Sequence, residues 1–197
     1  MSAEAGIHIP RGIFLSLLLR PVRNSGTVSF PYIKQASTMT GINPIPDEFH
    51  SVTPYLFIRG ASEAIEFYKQ AFGAEEVFRL PMPDGKLGHA EIQIGDSHVM
   101  LADENAEAGA ISPSTLEGTS ASFLIYVENV DEIYAQALAA GGEVVRPLAD
   151  QFYGDRTGCL KDPFGHVWTI STHIEDVTPE EAQQRLEAMG EDADANC

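Results

Sequence analysis

At 197 residues, with 44% hydrophobic and 21% charged, the chain is long enough to bury a core as one domain or as two small modules. Its formal charge of −17 is uneven: residues 1–38 carry four basic side chains and one acid, leaving 8 basic against 28 acidic residues for the rest. A body that acidic repels phosphate backbones and anionic lipid, and no apolar run reaches the roughly 20 residues that span a bilayer, so nucleic acid and membrane are excluded as partners.

Cys159 and Cys197 make no disulfide framework and suit a reducing compartment, the cytoplasm. Residues 1–40 are set apart as a basic extension. Their one apolar patch, residues 13–19, is bounded by Arg20 and Arg23 and lacks a small-residue cleavage site, which argues against a secretory signal. An organelle presequence fits the basic composition, but a disordered tail or a start drawn too far upstream fits better.

From residue 52 the pattern becomes regular. VTPYLFI (52–58) reads as a strand, and SEAIEFYKQAFG carries Ile65, Tyr68 and Phe72 at helical spacing before Gly73 ends the helix. EVFRLPM (76–82), a PDGK turn, the alternating HAEIQI (89–94) and HVMLAD (98–103) complete a strand–helix–strand–strand–strand unit, residues 52–103. Residues 104–120, rich in Gly, Ser and Pro, read as a linker that could fold over a cleft as a flap.

Sliding residues 55–103 onto 123–171 pairs YLFI with FLIY, GAEEV with GGEVV and GDSHVM with PFGHVW. SFLIYV, DEIYAQALAAGG, EVVRPLA, DRTGCLK and HVWTIS then form a second unit, 121–172, and His98 and His166 fall at one place in a duplicated module rather than forming a ligand pair. TPEEAQQRLEAM follows, with Thr178 as N-cap, Pro179 in the first turn and Glu181 three residues after Thr178. It predicts a capped helix within residues 175–197 that docks on the outside or on a partner subunit, ahead of a fraying EDADANC end.

AIEFYKQAFGAEE, PDGKLGHAEIQIGDSHVMLADE, QFYGDRTG and DPFGHVW together resemble the vicinal oxygen chelate superfamily of glyoxalases, bleomycin and fosfomycin resistance proteins and extradiol dioxygenases, within it the PhnB-like branch. The likeness runs from about Gly41 to Glu181. It implies an α+β fold of two tandem βαβββ modules over residues 41–174, whose uncovered sheet faces form a U-shaped mixed sheet around a cleft, usually in a homodimer. A small organic molecule is the implied partner and a divalent metal the implied cofactor.

In metal-dependent relatives the ligands lie early in the first strand and late in the fourth strand of each module. The corresponding positions here are Thr53, Leu101, Ser122 and Thr169, none of them good donors. His98 and His166 stand three residues before Leu101 and Thr169, an odd offset that turns them to the other face of the strand.

In HAEIQI, Ala90, Ile92 and Ile94 suit the helix-packed face, which leaves His89, Glu91 and Gln93 toward the cleft. His89 and Glu91, two apart on one side of a strand, form a candidate acid-base pair or candidate metal ligands, while Gln93 is a candidate substrate contact. Tyr55 and Phe57 should line the wall and Asp103 reach the rim. Tyr153, Asp155 and Arg156 in QFYGDRTG offer an aromatic hydroxyl and a charge pair, for a polar substrate or for closing the loop. Two readings result: a lyase or isomerase acting on the bound molecule, or a binder that sequesters a drug or toxin, for which the acidic body favours cations. A dimer with a vestigial cleft is a third.

Overall fold

The computed structural model describes residues 43–194, with side chains through residue 189. The expectation for residues 1–40 lies outside that range. The first module runs β1 (Tyr55–Ile58), α1 (Ala61–Phe72), β2 (Glu75–Pro81), β3 (Leu87–Ile94) and β4 (Ser97–Asp103). A short helix α2 (Pro113–Leu116) follows, then β5 (Ser122–Tyr126), α3 (Val130–Ala139), β6 (Glu143–Asp150), β7 (Asp155–Lys161), β8 (Val167–His173) and α4 (Pro179–Asp194).

Each module is a four-stranded mixed sheet, ordered β1-β4-β3-β2 and β5-β8-β7-β6, with β1 parallel to β4 and β5 parallel to β8. This is the expected α+β pair of tandem βαβββ units with a helix behind them.

Period-2 and period-3.6 patterns build these elements. On α1, Ala61, Ala64, Ile65, Tyr68, Ala71 and Phe72 are buried, and Gly73 in the left-handed region closes the helix, its N–H donating to the Lys69 carbonyl. Against that stripe lie Leu56, Ile58, Ala90, Ile92, Val99 and Leu101, all buried on one side of the first sheet. The second sheet turns Trp168, Ile170 and Leu160 toward α3, where Tyr134 packs so closely that Gly158 leaves no room for a side chain.

The two helix-covered sides share one core. Tyr68 lies 5.4 Å and Phe72 4.9 Å from the Trp168 ring, the Tyr68 hydroxyl donates to Asp162 at 2.8 Å, and the Gln136 amide donates to the Gln70 carbonyl at 2.7 Å. Burying each such aromatic stabilises the pairing by about 1.5–3 kcal/mol. Because the covered sides meet, the uncovered faces do not oppose one another within the chain. The cleft expected between them therefore does not close inside a single copy.

The linker is not a loose flap. Glu104 takes hydrogen bonds from Ser112 Oγ (2.8 Å) and Thr115 Oγ1 (2.6 Å) and pairs with Arg59 (2.7 Å). Those donors, Thr115 first, hold its carboxyl at about 2. Pro113 rests against Gly165 in the β7–β8 turn. At the far end, Thr178 Oγ1 caps the Glu181 N–H, and Arg185 of α4 clasps Glu175 through two 2.7 Å bonds, which docks the helix on its own chain. Helix continues through Asp194, into the stretch expected to fray.

Candidate functional site

Strand register fixes which side chains share the uncovered face of the first module. Glu91 pairs with Met100 and Gln93 with His98, while Met100 is also opposite Tyr55 on β1. Tyr55, Phe57, His89, Glu91, Gln93 and His98 therefore lie on one side, as expected for all but His98. Leu101 pairs with Ala90 and Leu56, so it points into the core. That reverses the expectation for β4: His98 faces the site, and Leu101 never could have held a metal there.

His89 and Glu91 are buried, 4% and 5% exposed, beneath a partial roof of Tyr55 and Phe78, whose rings lie 5.5 and 5.4 Å from the His89 ring. The Tyr55 hydroxyl meets His89 Nδ1 at 2.9 Å, and His89 Nε2 approaches Glu91 Oε1 at 3.4 Å. Both imidazole nitrogens are thus engaged, which fixes the ring's orientation. Burial, reinforced by the Glu91 charge, raises the Tyr55 pKa, so the phenol stays protonated and able to donate. Beyond Glu91, His98 Nδ1 stands 4.0 Å from Oε2, and Phe49 packs on the His98 ring at 4.8 Å. Gln93 is half-buried and donates to the Gly95 carbonyl.

The remaining candidates scatter. Asp103 is on the covered side, not at a rim: its carboxylate accepts from the Gly60, Ala61 and Leu87 N–H groups, tying the start of α1 to β3. Arg156 is also structural, held by Asp131 (2.7 Å) and Asp150 (2.8 Å) on the covered side of the second sheet. Its neighbour Asp155 points to the opposite face, so the expected Asp155–Arg156 pair does not form. Tyr153 is 41% exposed, edge-on to Phe152.

Asp155 has partners that the sequence did not suggest. It accepts from Tyr126 (2.8 Å) and binds His173 Nδ1 (2.8 Å), whose Nε2 meets Asp176 at 3.0 Å. Register places Asp155 opposite His173 on neighbouring strands, a pairing that no local motif signals. Asp155 and then Asp176 raise the His173 pKa. A raised folded-state value means this contribution to stability is complete below the ordinary histidine pKa of about 6.5 and is lost as pH rises through the folded value. We expect NMR titration to find His173 charged above pH about 6.5 and to move to lower pH in Asp155→Asn; an unmoved midpoint would contradict the pairing.

His166 is not the counterpart of His98. It is buried near Asp162, with Nδ1 3.7 Å from Oδ2, and burial lowers its pKa against the opposing pull of that carboxylate. The segment between Lys161 and Val167 is one residue longer than that between Gln93 and His98, so Val167, not His166, is the structural equivalent of His98. One added residue flips every side chain after it.

The metal positions can now be judged on their donors. Thr53 and Thr169 are half-buried hydroxyls, Ser122 is exposed and Leu101 is in the core. Among the described residues no group of three His, Cys, Asp or Glu side chains is placed to hold an ion. These residues do not fit a divalent metal.

A two-module βαβββ chain with a polar cluster on an uncovered sheet defines a recognisable class, and comparison with known proteins agrees. Residues 49–170 match the profile of the Glyoxalase/Bleomycin resistance protein/Dioxygenase superfamily. The chain belongs to that superfamily. An uncharacterized protein of Mycobacterium tuberculosis is 36% identical over 168 residues, 84% of this chain and 99% of the relative. A Pseudomonas aeruginosa crystal structure superposes with a TM-score of 0.52 at 27% identity, covering 63% of this chain and 98% of the other. The PhnB protein of Bacillus cereus, described as a putative 3-demethylubiquinone-9 3-methyltransferase, matches with a TM-score of 0.51 at 22% identity over 62% of this chain and 99% of its own, a likeness of fold alone.

Proposed function

We propose that the chain binds a small organic molecule against the uncovered face of its first module and moves a proton on it, as a lyase or isomerase, with Glu91 and His89 as the acid-base pair. The observation that carries this reading is the buried Tyr55–His89–Glu91 chain, on a sheet face where solvation or plain apolar packing would otherwise be expected. Tyr55 holds His89 in one orientation, and His89 in turn orients the Glu91 carboxylate. The 3.4 Å His89–Glu91 separation is long for a hydrogen bond and would tighten when a ligand is bound. The chemistry suited to this pair is removal and return of a proton next to a carbonyl.

The working unit we propose is a homodimer. The uncovered faces cannot enclose a cleft within one chain, yet Tyr55 and Phe57 on one and Leu124 and Tyr126 on the other stay between 36% and 63% exposed. Apolar groups of that size on uncovered sheets suit mutual covering by a second copy, first module against second. Light scattering should return twice the 21.4 kDa chain mass; a chain-sized particle would refute the arrangement. The compartment that suits the free, buried Cys159 is the cytoplasm.

The chemistry is tested by following exchange of C–H protons of hydroxyacetone and dihydroxyacetone in D2O by proton NMR. Catalysed exchange should fall by about 10²- to 10⁴-fold in Glu91→Gln. The rival reading, sequestration without chemistry, is favoured by the acidic body and the missing metal donors. It predicts saturable binding with no exchange above background.

A further inference from the structure

Glu91 is a buried carboxylate with no Lys or Arg beside it among the described residues; its polar neighbours are two imidazoles, one at each oxygen. His89 Nε2 stands 3.4 Å from Oε1 and His98 Nδ1 4.0 Å from Oε2. The second contact follows from strand register. Gln93 pairs with His98 and Glu91 with Met100, so His98 lies diagonally across from Glu91 on the same face. His98 is 8% exposed, its Nδ1 is sealed from water without a hydrogen-bond partner, and the Phe49 ring packs 4.8 Å away against the imidazole. A separation of 4.0 Å leaves no room for a bridging water, which needs two bonds of about 2.8 Å each. A buried polar atom left unpaired is costly, and the one polar group in front of this nitrogen is the Glu91 carboxylate.

Electrostatics decides which edge each ring shows to that carboxylate. A lone pair facing an anionic oxygen is repelled and an N–H is attracted, so His98 carries its hydrogen on Nδ1 and His89 on Nε2. His89 Nδ1 is then the acceptor for the Tyr55 hydroxyl at 2.9 Å. The two rings are opposite tautomers, both set by one side chain.

We propose that His98 is a positioning residue for Glu91: its Nδ1–H, with the His89 Nε2–H at the other oxygen, clamps the carboxylate so that its remaining lone pairs face the bound molecule. The inference rests on the acid-base reading above. In that reaction Glu91 takes a proton from carbon, the C–H electron pair staying on the substrate as an enolate, and then returns it to carbon. His98 neither gains nor loses a proton. Without it Oε2 has no donor, and the carboxylate turns about its Cγ–Cδ bond, a torsion with broad, shallow preferences. A displacement of about 1 Å suffices to cost about 10²-fold in rate.

Long-range proton–nitrogen NMR spectra of the full chain, under mildly alkaline conditions, should show His98 as the Nδ1–H tautomer and His89 as the Nε2–H tautomer. Glu91→Gln should release His98 to a mixture of the two. His98→Phe keeps the stack on Phe49 and should lower kcat for C–H exchange of dihydroxyacetone by about 10- to 10²-fold, with KM within about twofold. His98→Asn, whose amide nitrogen stands near the place of Nδ1, should recover most of that loss, whereas a purely structural role predicts the same loss in both variants. His98 found as the Nε2–H tautomer, or His98→Asn no faster than His98→Phe, would overturn the clamp. The spectra need no turnover, so the two readings fail separately: a native chain that exchanges no C–H protons defeats the acid-base reading whatever the tautomers, and exchange with the wrong His98 tautomer defeats the clamp alone.

Discussion

Asp162→Ala is expected to lower the free energy of unfolding by about 3–5 kcal/mol, a large share of a small domain's total. The side chain is completely enclosed and accepts four hydrogen bonds: Tyr68 Oη (2.8 Å), Trp168 Nε1 (3.0 Å) and the N–H groups of Phe164 and His166 (both 2.9 Å). Alanine would leave four donors without their acceptor, three of them buried, at about 1 kcal/mol or more for each buried one, and would leave a cavity between the modules. Tyr68 belongs to α1 and Trp168 to β8, so this one carboxylate fastens the first module to the second. Urea unfolding followed by Trp168 fluorescence should show the midpoint fall steeply, with Tyr68→Phe costing only about 1–2 kcal/mol. A loss below about 1 kcal/mol for Asp162→Ala would mean that the junction is held by apolar packing alone.

Gly154→Ala should cost about 3 kcal/mol, through backbone strain rather than lost contact. Gly154 sits at φ +96, and an added Cβ would stand 2.1 Å from the Glu175 carbonyl oxygen and 2.9 Å from Val177 Cγ2. Relief requires moving residues 174–177, which would break the Ile174 and Glu175 N–H bonds to the Gly154 carbonyl and loosen the path into α4. Gly95→Ala is the control, because at φ +59 a Cβ there meets nothing, so only the conformational cost of about 1 kcal/mol applies. Melting temperature and protease cleavage near residue 175 should separate the two variants. Equal behaviour would show that the close approach is not rigid.

The order of elements was legible because local rules decide it: alternation in HAEIQI, helical spacing in SEAIEFYKQAF, and glycines where the chain needs the left-handed region. The face of β3 followed from the same alternation, which is why His89, Glu91 and Gln93 were correctly grouped. β4 misled because its face was inferred from family position rather than from its own burial pattern, and pairing with β3 puts Met100 and His98, not Leu101, beside Glu91. The duplication misled for a related reason. The two His-Val pairs align in sequence, but one extra residue in the β7–β8 turn shifts the register and separates them in space. Asp155 and Arg156 are adjacent in sequence, which suggests a pair, whereas a strand sends neighbours to opposite faces. What no sequence pattern could show is which faces of two modules meet. That depends on Tyr68, Phe72 and Trp168 filling one core from separate elements, and it decides that the uncovered faces look elsewhere.

The direct test of the proposed site is to locate a small α-hydroxycarbonyl compound on the chain by amide NMR. Titration with dihydroxyacetone should shift the amides of Tyr55, His89, Glu91 and Met100 with a common saturation curve, and the shifts should vanish in Glu91→Gln. Saturable shifts confined to the second module around Asp155 and His173, with residues 89–91 unmoved, would contradict the assignment of function to the first uncovered sheet.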